Sequence, residues 1–391
     1  MEPSYDFVAP ARIAFGWGRR REAGRLAREL GRRAFVVCGS RTLETSGALD
    51  ELLGGLRQAG LDVIRLATIS REPLVADVDE TTRRLCEASA GEGDVLLAIG
   101  GGSAIDLAKA AAALAANRES PKVQDYLEGV GRGLKIVRPP LPLMAMPTSG
   151  GTGSEATKNA VISCYAPPFK KSLRSDSMVP RVVLVDPELS VSMPSATTAW
   201  TGMDAITQLI ESYVSRFARP LPRALAVEAL RAALSALPQA VADGACRPAR
   251  EAMAHAALVS GMALANSGLG LAHGVAAALG VYARVTHGLA CAVMLPVALR
   301  VNRPLCETDL AELARGALRG TWRSDADAAD ALLAAIDHLA AAVGVPRRLS
   351  ELGVRREQIA DLVAGSRGNS MNGNPVQLSD DELSRLLESV L

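Results

Sequence analysis

Short apolar runs alternate with segments of helical periodicity through the first half of the chain. Residues 34–38 (Ala-Phe-Val-Val-Cys) are a continuous apolar run after a polar turn, the pattern of a buried strand. A helical stretch follows to about residue 59, then a strand at 62–66 and a helix at 75–88. The clearest strand, residues 94–99, runs straight into Gly100-Gly101-Gly102-Ser103 and a helix over 104–116. Further short strands are predicted at 143–146 and 182–185. Strand, turn and helix at this spacing describe an α/β domain with a largely parallel sheet. From about Thr197 onward apolar residues recur every three or four positions in alanine-rich stretches with few β-branched runs, which predicts an all-α second domain. Pro, Ser and Asp cluster over 187–194, so the expected domains are residues 1–190 and 191–391.

Length supports two domains, because 391 residues exceed one ordinary core. Forty-three basic residues against forty-two acidic leave a net charge of +1, and aromatic residues are 3% of the chain. A nucleic-acid groove needs both positive charge and stacking platforms, so that class of partner is not expected. None of the six cysteines sits in a CxxC pair, which suits reduced thiols. The opening MEPSYDFVAP lacks the basic-then-apolar pattern of a signal peptide, and a cytoplasmic location is expected. The most apolar tracts, 104–116 and 256–282, carry Lys109 and His273 and read as buried helices, with no membrane association.

Two segments have phosphate-binding character. In Gly100-Gly101-Gly102-Ser103-Ala104-Ile105-Asp106, glycines at a strand end allow close backbone approach, and the following helix offers unpaired N–H groups to an anion. Ser103 with Asp106 three residues later also matches an ordinary capping box. The segment Pro147-Thr148-Ser149-Gly150-Gly151-Thr152-Gly153-Ser154-Glu155 again follows a strand and is expected to precede a helix. Hydroxyls and open backbone at a strand's C-terminal end suit a polar cofactor. In the second half, Asp204 and Gln208 lie one turn apart on a helix face. His273 and His287 are fourteen residues apart, about 21 Å along one helix, so they meet only if the chain turns between them. His255 and His338 read as structural.

Several of these motifs together resemble the iron-containing (group III) alcohol dehydrogenase family of the dehydroquinate synthase-like superfamily. The resemblance runs through residues 100–109, 147–157, Val185-Asp186-Pro187-Glu188-Leu189, Thr201-Gly202-Met203-Asp204-Ala205, residues 268–273, His287-Gly288 with Pro296, and Asn374-Pro375. It implies a nucleotide-binding α/β domain followed by an all-helical domain, with the active site in the cleft between. It further implies NAD or NADP as cofactor, a divalent metal, a small alcohol or aldehyde as substrate, and a homo-oligomer. The backbone at Gly101, Gly102 and Ser103 would cradle the pyrophosphate. Thr148, Ser149 and Thr152 would line the cofactor, with Asp106 beside the nicotinamide.

The implied metal quartet is Asp204, Gln208, His273 and His287, with Asp204, His273 and His287 assisting catalysis. The family's usual residue at the second position is histidine. The neutral amide of Gln208 is a weaker donor, which leaves iron, zinc or an empty site as the expectations. Ala277 stands where many relatives carry another histidine. Gly39, followed by Ser40 and Arg41, stands where NAD-using relatives place a ribose-binding aspartate, so NADP is expected to be tolerated or preferred. Cys291 and Cys306 are read as structural thiols. The alternatives are a metal-independent keto-acid reductase resembling maleylacetate reductase, with Lys171 and Arg174 for a carboxylate, and a non-catalytic dinucleotide-binding protein.

Overall fold

The computed structural model describes residues 4–39 and 41–391, with the backbone alone at residue 41. The chain divides into two compact units, one of Val8–Ser149 and Gly153–Ser192, the other of Met1–Phe7, Gly150–Thr152 and Met193–Leu391.

The first unit is built on strands β1 (Arg12–Phe15), β2 (Arg33–Cys38), β3 (Asp62–Thr68), β4 (Asp94–Gly100), β5 (Leu143–Pro147) and β8 (Val182–Val185). They form one sheet in the order β1-β8-β5-β4-β2-β3, and every pairing is parallel. Alternate side chains of the central strands feed two separate cores. Phe35, Val37, Leu96 and Ala98 enter one, and Val36, Val95, Leu97 and Ile99 enter the other. Burial on both faces is why these strands are apolar runs without alternation. Helices α1 (Ala23–Leu30), α2 (Arg41–Thr45) and α3 (Ala48–Gln58) precede β3, and α4 (Val75–Glu87) and α5 (Gly102–Ala116) flank β4.

The predicted strands are all present, extended by a residue or two at several ends. Two elements escape the sequence reading. One is the short edge strand β1, and the other an antiparallel hairpin of β6 (Asn159–Tyr165) and β7 (Pro168–Arg174). The helix expected after residue 155 is only a single 3-10 turn, Ser154–Ala156, because the chain goes directly into β6.

The second unit is all-helical: α6 (Ser195–Val214), α7 (Pro220–Ala242), α8 (Arg247–Ser267), α9 (Leu271–Tyr282), α10 (His287–Ala317), α11 (Asp325–Ala342), α12 (Ile359–Gly365), α13 (Asn369–Asn372) and α14 (Asp380–Ser389). Helix α6 packs on α7, α8 and α10, so it is buried along most of its length. Helices α7 and α10 are long and apolar enough to cross a membrane by length and composition. Here they pack on α6 and on each other, with Leu230, Leu237, Cys291 and Leu295 in one continuous core.

Candidate cofactor and metal sites

In the parallel sheet the strand order reverses between β2 and β4, because the chain moves outward from β2 to β3 and then returns to the other side of β2. Ligands of open α/β sheets bind beyond the carboxyl ends of strands at such a point. Both glycine positions singled out above lie there. Gly39 follows β2 and donates its N–H to Ile99 O at 2.7 Å, while Gly100 ends β4. A Cβ on Gly100 would lie 2.7 Å from Gly39 Cα and 2.8 Å from Ala104 Cβ, and one on Gly39 would lie 2.8 Å from Gly100 Cα. The two backbones touch, so neither position has room for a side chain without a backbone shift. This refines the reading of Gly39: the glycine is demanded by packing as well as leaving out a carboxylate. Ser40 and the Arg41 side chain lie outside the described residues.

Helix α5 begins at Gly102 with Gly101 as its N-cap, and no side chain caps it. The capping-box alternative for Ser103 and Asp106 is therefore excluded, and the first-turn N–H groups at Gly102 and Ser103 keep their capacity for an anion. Asp106, one turn further along α5, is held by polar partners. Its oxygens accept from Ser154 Oγ and from the Val161 N–H at 3.0 Å, and it pairs with Lys109 Nζ at 3.4 Å. Lys109 also donates to Ser154 O and Thr157 Oγ1, each at 2.7 Å, tying the 147–157 loop to α5. Burial lowers the Lys109 ammonium, against the attraction of Asp106. Glu155 is buried beside this network, and burial pushes its carboxyl up to about 7 against its own backbone bond and Lys109. Thr148 and Ser149 are partly buried just beyond β5, and Thr152 is partly buried in the segment assigned to the helical unit.

In the helical unit the chain turns at residues 283–286, between α9 and α10, and this brings His273 and His287 together with ring centroids 5.5 Å apart. His273 Nε2 lies 3.2 Å and His287 Nε2 3.9 Å from Asp204 Oδ1 on α6. Asp204 and His273 are buried, and the His287 side chain is 28% exposed, the open edge of the group. Asp204 Oδ2 is buried and finds no hydrogen-bond partner among the described residues. Burial alone would raise the Asp204 carboxyl, but His287 and His273 outweigh it and hold it below the usual value. His273 is likewise raised well above the ordinary imidazole value despite burial, through Cys291, Asp204 and Glu211.

Two further residues belong to the group. Glu211, one turn beyond Gln208 on α6, accepts from His273 Nδ1 at 2.7 Å and from the Gly270 and Ala272 N–H groups at 3.0 and 2.7 Å. It orients the imidazole so that Nε2 points at Asp204, the arrangement of an outer-sphere carboxylate behind a metal-binding histidine. Cys291, read from sequence as a structural thiol, has its Sγ 3.7 Å from His287 Nε2, and its donor atom lies within 4.8 Å of those of Asp204, His273 and His287. Burial pushes its thiol up to about 12. Gln208 sits one turn from Asp204 as expected, but its Oε1 accepts from Ser260 Oγ at 2.6 Å. Both additions carry a spacing signal: Glu211 follows Asp204 by seven residues and Cys291 follows His287 by four, each on the same helix face.

The start of α9 is held from the far end of the chain. Asn374 Oδ1 accepts the Leu271 N–H at 3.0 Å, and Asn302 and Asn374 exchange amide hydrogen bonds in both directions at 2.8 Å. His255 pairs with Glu228 at an exposed position, apart from the group. Arg174, on β7, is paired with Glu128 at 2.9 Å.

A donor cluster with an orienting carboxylate, and a glycine floor at a sheet's reversal point, are the features that known proteins can now be set beside. Residues 10–187 match the model of iron-containing alcohol dehydrogenases, and residues 198–391 match that of the Fe-containing alcohol dehydrogenase family, C-terminal. The chain belongs to the iron-containing alcohol dehydrogenase family. It is an NAD(P)-dependent alcohol dehydrogenase by that membership. The chain is 32% identical to the NAD-dependent methanol dehydrogenase of Bacillus methanolicus, over 98% of this chain and 99% of that one. It is 30% identical to the NADPH-dependent butanol dehydrogenase of Clostridium saccharobutylicum, over 98% and 97%. The crystal structure of a 1,3-propanediol oxidoreductase superposes with a TM-score of 0.90 at 30% identity, covering 99% of this chain and all of the other.

Proposed function

We propose that Asp204, His273 and His287 hold a divalent metal, and that the chain uses it to move a hydride between a small alcohol and NAD(P). The observation that carries this reading is the convergence of three donors from three helices on a point where Asp204 Oδ2 has no partner among the described residues. A buried carboxylate oxygen left so is costly unless a cation completes it. When bound, the metal supplies Lewis-acid polarisation of the substrate oxygen, and the nicotinamide supplies or accepts the hydride.

The chain's own residues do the rest. Glu211 fixes the Nδ1–H tautomer of His273 and so keeps Nε2 available as a donor. Asp204 brings negative charge, and His287 heads α10 at the more exposed edge. Gly101, Gly102 and Ser103 offer first-turn N–H groups to the cofactor pyrophosphate, on the floor made by Gly39 and Gly100. Thr148, Ser149 and Thr152 are the hydroxyls proposed for the remaining cofactor contacts. Asp106, fully engaged with Ser154, Val161 and Lys109, holds the 147–157 loop against α5 in this reading. Position 277 is alanine, so the alcohol proton leaves through water or ribose hydroxyls and not through a side chain there.

Relatives named for NAD and for NADPH both align along the whole chain. The lack of a carboxylate at Gly39, with Arg41 two positions on in sequence, supports acceptance of a 2′-phosphate. The six cysteines are unpaired among the described residues, which suits a reducing compartment such as the cytoplasm. The testing experiment is metal analysis joined to an activity screen on small alcohols and aldehydes with both cofactors. Close to one divalent ion per chain is expected, lost in His273→Ala together with turnover. Full activity in metal-free protein refutes the reading.

A further inference from the structure

Four donors, not three, surround the point where Asp204, His273 and His287 meet. Cys291 follows His287 by one turn of α10, so thiol and imidazole share a helix face, and Cys291 is fully buried there. Gln208 is differently placed. Its amide oxygen is already satisfied by the Ser260 hydroxyl at 2.6 Å, for which the Ala257 carbonyl at 2.8 Å is the alternative acceptor.

We propose that Cys291 is the fourth protein ligand of the metal, so that the donor set is aspartate, two histidines and a cysteine thiolate. This rests on the metal reading given above. A tetrahedral ion with bonds of about 2.0–2.3 Å sets its donors about 3.3–3.6 Å apart. The separations here are 3.2 Å from His273 to Asp204, 3.9 Å from His287 to Asp204 and 3.7 Å from Cys291 to His287. All four donor atoms lie within 4.8 Å of one another before any ion draws them in. The second observation is Asp204 Oδ2, buried and without a partner among the described residues.

A thiolate adds a second directly bound anion to the Asp204 carboxylate, in a site where three of the four residues are buried. A sulfur donor also moves the preference towards softer ions, which favours zinc or cobalt over a site of nitrogen and oxygen donors alone. On binding, the S–H bond gives way to a metal–sulfur bond and the proton passes to solvent, with no change of oxidation state. The chain thus keeps four protein donors although histidine is missing at position 208.

The test is reconstitution of the metal-free full-length protein with cobalt(II) alone, read by absorption, and with zinc alone, read by X-ray absorption at the zinc edge. Cobalt-loaded protein is expected to show a near-ultraviolet sulfur-to-cobalt charge-transfer band. Cys291→Ser should lose that band while Gln208→Ala keeps it. The zinc edge should report one sulfur at about 2.3 Å. Bound cobalt without the band, a band that survives Cys291→Ser, or a zinc shell of nitrogen and oxygen only, each overturns the assignment while leaving the three-residue metal reading intact. Failure to retain either ion overturns both. Should Cys291→Ser not fold, the zinc spectrum of the unaltered protein decides the matter alone.

Discussion

Replacing Glu211 by glutamine tests whether this carboxylate orients the His273 imidazole for the proposed metal. It accepts three hydrogen bonds: Oε2 from Gly270 N–H and His273 Nδ1, and Oε1 from Ala272 N–H. Glutamine keeps one oxygen. With that oxygen in the Oε2 place, its NH2 group faces the Ala272 N–H, and two donors oppose each other with no acceptor. Bonds to a charged acceptor contribute about 1.5–3 kcal/mol, and a buried donor left unsatisfied costs about 1–3 kcal/mol. One bond lost and two reduced to neutral strength come to about 3–4 kcal/mol. For a unit of about 200 residues each kcal/mol shifts Tm by about 2–4 °C, so a fall of about 6–15 °C is expected. Weakening an outer-sphere carboxylate also lowers metal affinity by about 10–100-fold. Thermal unfolding of chelator-treated protein and a zinc titration against a chromophoric chelator measure the two effects separately. Unchanged Tm together with unchanged zinc affinity would refute the orienting role. A lowered Tm with full zinc affinity would reduce Glu211 to a fold-stabilising contact.

Three other outcomes are expected. Glu155, with its carboxyl raised from 4.5 to about 7, keeps a proton in the folded state that the unfolded chain releases. Stability should therefore fall as pH rises from about 4.5 to 7 and level off above, by up to about 3 kcal/mol, and Glu155→Gln should flatten the slope in denaturant unfolding at pH 5 and 8. An equal slope in the variant would contradict this. Gly100→Ala forces a Cβ to within 2.8 Å of Gly39 and Ala104. Overpacking should lower stability by about 1–3 kcal/mol, and the backbone shift it forces should weaken NAD(P)H binding in a fluorescence titration; unchanged affinity would show that the floor is not part of the cofactor site. Arg41→Ala should lower kcat/KM with NADPH more than with NADH; an unaltered ratio would mean the guanidinium does not meet the 2′-phosphate.

Sequence pattern reveals most where burial is complete. Strands β2, β4 and β5 stand out because both faces are packed, leaving no polar residue to break the run. The hairpin was hidden for the opposite reason. In β7 only Phe169 and Leu173 are buried, four residues apart with Lys170, Lys171 and Ser172 between, a spacing that imitates a helix. β1 is four residues long with one buried side chain, too short to show a period. In the site, Asp204, His273 and His287 stood in recognisable motifs, whereas Glu211 and Cys291 lay inside long buried helices where any residue looks like core. Their i+7 and i+4 relations to Asp204 and His287 become meaningful only once the turn at 283–286 brings α9 and α10 onto α6. Gly39 shows the converse limit, since a comparison of residue types alone sees a missing carboxylate and not the Gly100 backbone pressed against it.

The clasp of Asn374 on the start of α9 sets an order of events during synthesis. Leu271 and Asn374 are 103 positions apart, so His273 leaves the ribosome long before the group that secures its helix. At about 5–20 residues per second the interval is about 5–20 s. Through that time the Leu271 N–H and the Asn302 amide lack their Asn374 partner, and the polar contacts from α6 that hold the first turn of α9 are those of Glu211 and Asp204. Stalled or prematurely terminated chains ending before Asn374 would carry every proposed metal donor yet lack the lock on one of them. On the proposed metal reading, loading would thereby be coupled to completion of the polypeptide, and incomplete products would carry a loosely held site.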